Sequence, residues 1–163
     1  MRRRLSPECG MTLAEVLVAV AIIAIGLLAL LSTIPLASYA TQEGSQTSTA
    51  TFLANQRLEQ VRNAQWSATP PVDNLGISAS STAAPLSGAT TTFADESPMA
   101  APYTAYTRQV RITDCGTGAG CTGITNSGMR LATVTVSYTP LSATGTAGAA
   151  SRSVAVSMVI AQR

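Results

Sequence analysis

The chain begins with one long apolar run and ends with three stretches in which apolar and polar residues alternate. Residues 16–31 are all apolar, and no charge occurs between Glu15 and Glu43. The uncharged span between Glu15 and Glu43 reaches the roughly 20 residues that a helix needs to cross the hydrocarbon core of a membrane. Pro35 removes one backbone hydrogen bond, so we expect a kink or melted segment there and a second interruption near Gly44.

A second, amphipathic pattern predicts a helix over residues 45–66. Apolar residues recur there at three- and four-residue steps, which places them on one stripe opposite a polar face. We expect the stripe to pack against a sheet as core, and a partner-binding surface is the less favoured interpretation. The stripe consists of Ala50, Ala54, Leu58, Val61 and Ala64 or Gln65, and the polar face of Gln56, Arg57, Glu59, Gln60 and Asn63.

Residues 67–102 are rich in Ser, Thr, Ala and Pro and show no period, which predicts a long surface connector. Three segments with period-two alternation and β-branched residues follow, near residues 104–113, 129–139 and 152–162. This pattern predicts an antiparallel meander with one buried face. The predicted fold class is therefore α+β, with a long N-terminal helix packed on a small antiparallel sheet.

The net charge of +2 belongs to the first ten residues. These carry Arg2, Arg3, Arg4 and Glu8, so the rest of the chain is electrically balanced and lacks lysine. Arginines before a membrane span hold that end in the cytoplasm, which sends the C-terminal part across the membrane. Without a basic excess, and with its arginines scattered, the remainder makes a poor phosphate track, so we expect no nucleic-acid partner.

The three cysteines differ in context. Cys9 lies in the charged leader, whereas Cys115 and Cys121 bracket a glycine-rich stretch. In an oxidising exported compartment the expected outcome is a Cys115–Cys121 disulfide, which stabilises by about 2 kcal/mol for so short a loop. A metal pair is the competing interpretation, but the chain has no histidine and no second cysteine pair.

The chain also lacks the residues of an enzyme. Without histidine it has neither the usual catalytic base nor the commonest transition-metal ligand. Its few carboxylates are scattered, and the adjacent pair Asp95 and Glu96 is expected to be solvated in the connector. We therefore predict no catalytic residues, no cofactor and no bound metal.

The position of the small-residue junction Gly10–Met11 carries the functional argument. An ordinary secretory signal is cleaved after its apolar stretch, whereas this junction precedes it. Cleavage there would leave the apolar helix on the mature protein, with a new amine four residues from Glu15. A helix cannot easily fold its first residue back onto its fifth, so the amine of a neighbouring copy is the better partner. That reasoning points to a polymer.

Residues 10–19, Gly-Met-Thr-Leu-Ala-Glu-Val-Leu-Val-Ala, resemble the N-terminal signal of type IV prepilins and type II secretion pseudopilins. The resemblance implies that prepilin peptidase cuts after Gly10, that Met11 becomes the N-methylated first residue, and that Glu15 aids subunit docking. Met11 stands where phenylalanine is usual, and Ala14 replaces a larger aliphatic residue. The implied partners are prepilin peptidase, other major and minor pilins and the inner-membrane assembly platform.

The order of helix, connector and strands is further similar to PilV-type minor pilins. The resemblance implies a leader at residues 1–10, a transmembrane polymerisation helix at 11–40 and an exported globular domain at 41–163. It implies a single-pass inner-membrane protein that enters a pilus to prime or cap assembly. The alternatives are a type II secretion minor pseudopilin of the I class, a major pilin, which the departures at Met11 and Ala14 disfavour, and a non-polymerising single-span anchor that presents a binding domain.

Overall fold

The computed structural model describes residues 11–116, 120–140 and 150–163. These residues form one long helix followed by small antiparallel sheets, which confirms the α+β expectation. The chain divides into two compact units, one up to Thr41 and one from Gln42 to Arg163. We call them the N-terminal unit and the globular unit.

Helix α1 spans Leu13–Asn63 without a break, 51 residues in all. The expectations of a melted segment at Pro35 and of an interruption near Gly44 are therefore wrong. A proline withholds a single N–H, and the helical hydrogen bonds on both sides of it persist. The preceding turn gains two bonds, because the hydroxyls of Ser32 and Thr33 donate to main-chain carbonyls three residues earlier.

The N-terminal unit presents an apolar surface. Its large apolar side chains are exposed throughout residues 13–34. Within the part of the chain that the structure describes, α1 is the one helix long and apolar enough to cross a membrane, by length and composition. A helix that is apolar all round is the kind that a bilayer or other helices cover.

The main sheet of the globular unit contains β6 (Tyr106–Asp114), β7 (Met129–Tyr138) and β8 (Arg152–Ala161), in that order and antiparallel. Their bounds lie within two residues of the alternating segments in the sequence. The register places Val110, Val134 and Val156 side by side. The alternation therefore turns one apolar face of the sheet towards α1.

The core lies between that face and the apolar stripe of α1. The stripe matches the period of the sequence, with Leu53 added one helical turn before Arg57. Burial of each large aliphatic side chain stabilises the fold by roughly 1.5–3 kcal/mol before entropy is counted. The fully or nearly fully buried members are Ala50, Leu53, Ala54, Leu58 and Val61 of α1, and Val110, Ile112, Ala132, Val134 and Val136 of the sheet.

Helix α1 ends at Asn63, three residues before the predicted end at Trp66. Trp66 instead enters β1 (Trp66–Ser67), which pairs with β2 (Val72–Asp73). The main-chain N–H of Asn74 donates to the carbonyl of Gln65 at 2.9 Å, and this bond extends the β1–β2 pairing by one position. Tertiary contacts of the indole thus outweigh the helical period at this end.

Residues 67–102, here called the connector, are more structured than the sequence indicates. They contain β1, β2 and a three-stranded sheet of β3 (Ile77–Ser78), β4 (Pro85–Ser87) and β5 (Thr90–Thr91). Leu75, Phe93 and Met99 are buried in the main core. The connector lies largely at the surface, as expected, but the expectation that it lacks structure is wrong, because short strands and single apolar anchors leave no period in the sequence.

Gly76 sets the path of the connector. Its φ of 72° is a conformation that side-chain-bearing residues rarely adopt, and a Cβ there would lie 2.7 Å from the carbonyl of Leu86. The Asp73 carboxylate accepts hydrogen bonds from the N–H groups of Leu75 and Gly76, at 3.1 and 2.8 Å. This turn directs the side chain of Leu75 into the core.

Candidate functional site

The start of α1 brings together the residues that the sequence singles out at this end. Leu13 is the first helical residue, and the hydroxyl of Thr12 accepts a hydrogen bond from the N–H of Glu15 at 3.3 Å. Thr12 thereby caps the helix, and Glu15 three residues later completes the sequence pattern of a capping box. A negative charge in the first turn also interacts favourably with the helix dipole. Glu15 therefore has a local role in starting the helix.

Glu15 is nevertheless poorly matched to its surroundings. Its neighbours Leu13, Val16, Leu17 and Val18 are all exposed apolar residues, and Glu15 is exposed among them. In the described residues no cation lies within ion-pairing distance of it. A carboxylate in such an apolar ring favours an external positive partner once the ring is covered.

Of the two residues that flank the predicted cleavage site, the structure describes one. Met11 directly precedes the Thr12 cap and is 71% exposed. Gly10 lies outside the described residues. The arrangement of Met11, Thr12 and Glu15 contains no nucleophile, base and acceptor acting together. What it offers is a helix cap at Thr12 and a carboxylate in the first turn of α1.

The two cysteines form a separate feature at the end of β6. Cys115 and Cys121 are joined by a disulfide, with their Cα atoms 5.2 Å apart, and both are buried. The main-chain N–H of Cys115 donates to the carbonyl of Met129 on β7. The structure therefore shows the disulfide in place of the alternative metal pair, and the disulfide closes a short loop directly after β6.

Sequence reasoning missed a buried arginine in the core. Arg108 lies on the inward face of β6, and its guanidinium donates to both carboxylate oxygens of Glu96 at 2.9 Å. It also donates to the main-chain carbonyl of Leu53 on α1 at 3.1 Å. The main chains of Glu96 and Arg108 exchange two further hydrogen bonds of 2.9 Å. One side chain thus links the helix, the sheet and the connector.

Glu96 also binds a second arginine from the helix. Arg57 approaches its carboxylate at 3.3 Å and stacks over the ring of Phe93, 5.3 Å from the centroid. Burial lowers the pKa of Arg57, Glu96 partly raises it, and Arg108 adds a smaller lowering. Two guanidinium groups therefore share one carboxylate at this junction.

A second pair holds the middle of the connector. Arg111 lies on the opposite face of β6, and its guanidinium donates hydrogen bonds to both carboxylate oxygens of Asp95, at 2.7 and 2.8 Å. It also donates to the carbonyls of Ser81 and Thr82. The hydrogen bonds from Arg111 outweigh the opposing effect of burial and hold the pKa of Asp95 below its usual value.

A third pair holds the beginning of the connector. Arg130 on β7 donates to Asp73 at 2.7 Å and lies over the ring of Trp66, 4.2 Å from the centroid. Burial raises the pKa of Asp73, but hydrogen bonds from Arg130 and the N–H groups of the following turn prevail, so the net pKa is lowered. We call the pairs of Arg108, Arg111 and Arg130 with their carboxylates the connector clamps.

The clamps correct one expectation from the sequence. Asp95 and Glu96 are about one-third exposed, but each is ion-paired with an arginine of β6 and is not simply solvated. One signal was visible: Arg108 occupies an inward position of β6, between Tyr106 and Val110. A charge at such a position requires a buried partner, although the sequence does not show which carboxylate supplies it.

Comparison with known protein families identifies a motif in the N-terminal segment. Residues 5–31 match the prokaryotic N-terminal methylation motif. The match supports a type IV pilin-like protein. Comparisons with curated proteins and with solved structures gave no significant match.

A pilin-like protein of this kind is structural, and its motif implies cleavage by prepilin peptidase and assembly with other pilins. The motif and the exposed apolar helix together indicate membrane anchoring.

Proposed function

We propose that this pilin-like chain is a minor pilin of a type IV pilus, which enters the filament through α1 and primes or caps its assembly. The observation that carries the proposal is the position of Glu15. It is an isolated carboxylate in the first turn of an exposed apolar helix, inside the matched methylation motif. An acid there is costly in an apolar bundle unless a cation meets it.

The proposed sequence of events uses only the start of the chain. Prepilin peptidase cuts between Gly10 and Met11, and the new amine of Met11 is methylated. In the growing filament the carboxylate of Glu15 pairs with the N-terminal ammonium of a neighbouring subunit. This contact is strong because surrounding apolar side chains exclude water and lower the local dielectric. Neither step requires a catalytic residue of this chain.

The proposed topology follows from the leader. Arg2, Arg3 and Arg4 stay in the cytoplasm, α1 crosses the inner membrane, and the globular unit is exported. The Cys115–Cys121 disulfide fits this topology, because exported compartments are oxidising. The clamps and the disulfide then stiffen the exported globular unit.

The test must separate the charge of Glu15 from its role in starting the helix. Glu15→Gln keeps the size of the side chain and removes the charge that docking requires. Thr12→Val is the matched control, since it removes the capping hydroxyl and leaves the carboxylate in place. We expect Glu15→Gln to lower incorporation into sheared filaments by at least about tenfold and Thr12→Val to leave it within about twofold.

Intact mass spectrometry of filaments and membranes measures processing and location together. A filament-borne species that begins at methylated Met11 is the expected result. The same trimmed species confined to membranes, together with secreted effectors, would favour the pseudopilin alternative. Normal localisation and function of Glu15→Gln would favour a non-polymerising anchor, and a chain that still begins at Met1 would refute the pilin proposal.

A further inference from the structure

Strand β8 forms an open edge of the main sheet. The sheet order is β6-β7-β8, so one side of β8 pairs with β7 and the other side faces outward. The N–H of Gln162 donates to the carbonyl of Gly128 at 2.8 Å, which shows that even-numbered residues direct their main-chain groups towards β7. By the alternation of an antiparallel strand, the outward main-chain groups are those of Ser153, Ala155, Ser157, Val159 and Ala161.

One end of this edge already accepts another strand. The N–H of Arg163 donates to the carbonyl of Trp66 at 3.0 Å, and the N–H of Ala68 donates to the carbonyl of Arg163 at 3.3 Å. This is the pattern of a parallel bridge. Among residues 11–116, 120–140 and 150–163, no other main-chain group bonds to the outer side of β8. The stretch 153–161 is therefore unpaired in the described chain.

This edge also lacks the features that keep other edges from pairing. Natural edge strands carry lysines, prolines, bulges or inward charges that prevent association with another strand. Between Arg152 and Arg163, β8 has no charge and no proline, and its solvent-side residues are Ser, Ala or Val. An uncharged edge of this length is a ready template for an added strand.

The core is open at the same edge. Val154, Val156 and Met158 face α1 but are only half buried, whereas the matching residues of β7 are fully covered. An added strand with apolar side chains at alternate positions would cover them. Backbone pairing and apolar burial would therefore occur at the same surface.

We propose that the outer edge of β8 binds an extended segment of a different pilin-like subunit by β-strand addition. The occupant is a segment with alternating apolar residues and a carboxylate near each end. Each carboxylate would face the arginine at one end of β8, Arg152 or Arg163, and Arg152 is 61% exposed despite its pair with Glu43. This inference rests on the proposed function for the identity of the partner, and on the edge itself for the mode of binding.

A second copy of this chain fits the edge poorly. An antiparallel pair of β8 strands would make the Gln42–Asn63 stretches of α1 run in opposite directions, whereas subunits anchored in one membrane share a direction. A second copy whose α1 runs in the same direction would have to pair a different free strand edge with β8. Its β6 is occupied, because Arg108 pairs with Glu96 and the N–H of Ile112 donates to Ser78. The partner is therefore a different chain.

The experiment uses the full chain in detergent micelles and a synthetic peptide as the probe. The peptide contains about ten residues of alternating valine and threonine between two glutamates. Methyl groups on every second amide nitrogen block its far edge, so that it cannot stack on itself. Fluorescence anisotropy measures binding, and residue-resolved hydrogen exchange measures which amides the peptide protects. A peptide methylated on both edges is the control ligand.

We expect binding of the one-edge peptide, with slower exchange at the amides of Ser153, Ala155, Ser157 and Val159. Ala155→Pro removes one outward N–H without touching the bonds to β7, and should weaken binding by about tenfold. If that variant is unstable, Ala155→Lys replaces it, with Thr135→Lys as its matched control on the adjacent position of β7. Ala155→Lys should abolish binding of the peptide, whereas Thr135→Lys should leave it unchanged.

Equal binding of both peptides, protection that does not alternate, or no binding at about millimolar peptide would overturn the inference. So would equal effects of Ala155→Lys and Thr135→Lys. This assay requires no filament, so it remains decisive even if Glu15→Gln shows that the chain does not polymerise. Conversely, a chain that enters filaments but fails this assay retains the proposed function without the edge contact.

Discussion

Glu96→Ala should destabilise the globular unit more than the loss of any surface ion pair. Glu96 is the shared partner of Arg57 and Arg108, and it accepts two hydrogen bonds of 2.9 Å from Arg108. The Arg108 side chain is only 8% exposed. Removal of the carboxylate leaves this guanidinium buried, with the carbonyl of Leu53 and a weaker contact to Gln56 as its remaining partners.

The magnitude follows from that burial. Breaking a buried ion pair by removing one partner costs roughly 3–5 kcal/mol, because the other charge stays desolvated. Glu96 itself is 29% exposed, so water partly replaces it, and the lower end of the range applies. We expect a loss of about 3 kcal/mol in the free energy of unfolding. In urea this lowers the midpoint by about 1.5 M at a slope near 2 kcal/mol/M.

Trp66 provides the assay. It is the only tryptophan of the chain, and its ring lies under Arg130 at the boundary of the core. Its fluorescence therefore reports the unfolding of the globular unit in the full chain, held in detergent micelles. Urea titrations at pH 7 should show a lower midpoint and an unchanged slope for Glu96→Ala.

Glu59→Ala is the matched control. Glu59 pairs with Arg62 at 2.7 Å on the solvent side of α1, where both side chains are more than half exposed. Such a pair contributes roughly 0–1 kcal/mol. A second variant, Glu96→Met with Arg108→Met, removes both charges and should recover much of the lost stability. Equal effects of Glu96→Ala and Glu59→Ala would refute the account of Arg108 as a buried clamp.

Two further predictions concern acid and reduction. Because the pKa values of Asp73 and Asp95 are lowered in the fold, their contribution is complete above the unfolded value of about 3.9 and is lost as the pH falls below it. Asp95→Asn should therefore be less stable than the wild type at pH 7, and lose less stability between about pH 4 and 3 in urea titrations. Parallel acid limbs would contradict this. Cys115→Ala with Cys121→Ala should cost about 2 kcal/mol. A reductant should lower the wild-type midpoint similarly, and insensitivity to reductant would count against a stabilising disulfide.

The main elements could be predicted because their signals are local. The period of α1 and the alternation in β6, β7 and β8 depend on neighbours in sequence, and the match to the methylation motif likewise depends on contiguous residues. Met11 and Glu15 could be singled out for the same reason. Their assembly role remains a prediction, since it depends on contacts with other subunits.

The connector could not be predicted because its structure depends on distant residues. Arg130 holds Asp73 across 57 positions, and Arg108 reaches the carbonyl of Leu53 across 55. No window of the sequence contains both members of either contact. The continuity of α1 through Pro35 was missed because of a local rule, namely that proline interrupts a helix. The long helical segments on both sides of Pro35 outweigh the single hydrogen bond that proline removes.

The clamps hold the connector at Asp73, at Ser81 and Thr82, and at Asp95, and they leave the turn between β4 and β5 available to carry a foreign sequence. The turn at Gly88–Ala89, between β4 and β5, is exposed and lies between the anchor points at Asp73 and Asp95. An epitope inserted there would hang from a region already fixed on either side, without touching α1 or the main sheet. Immunogold labelling of such a variant would show in the electron microscope whether individual subunits lie at the tip or along the shaft of a filament.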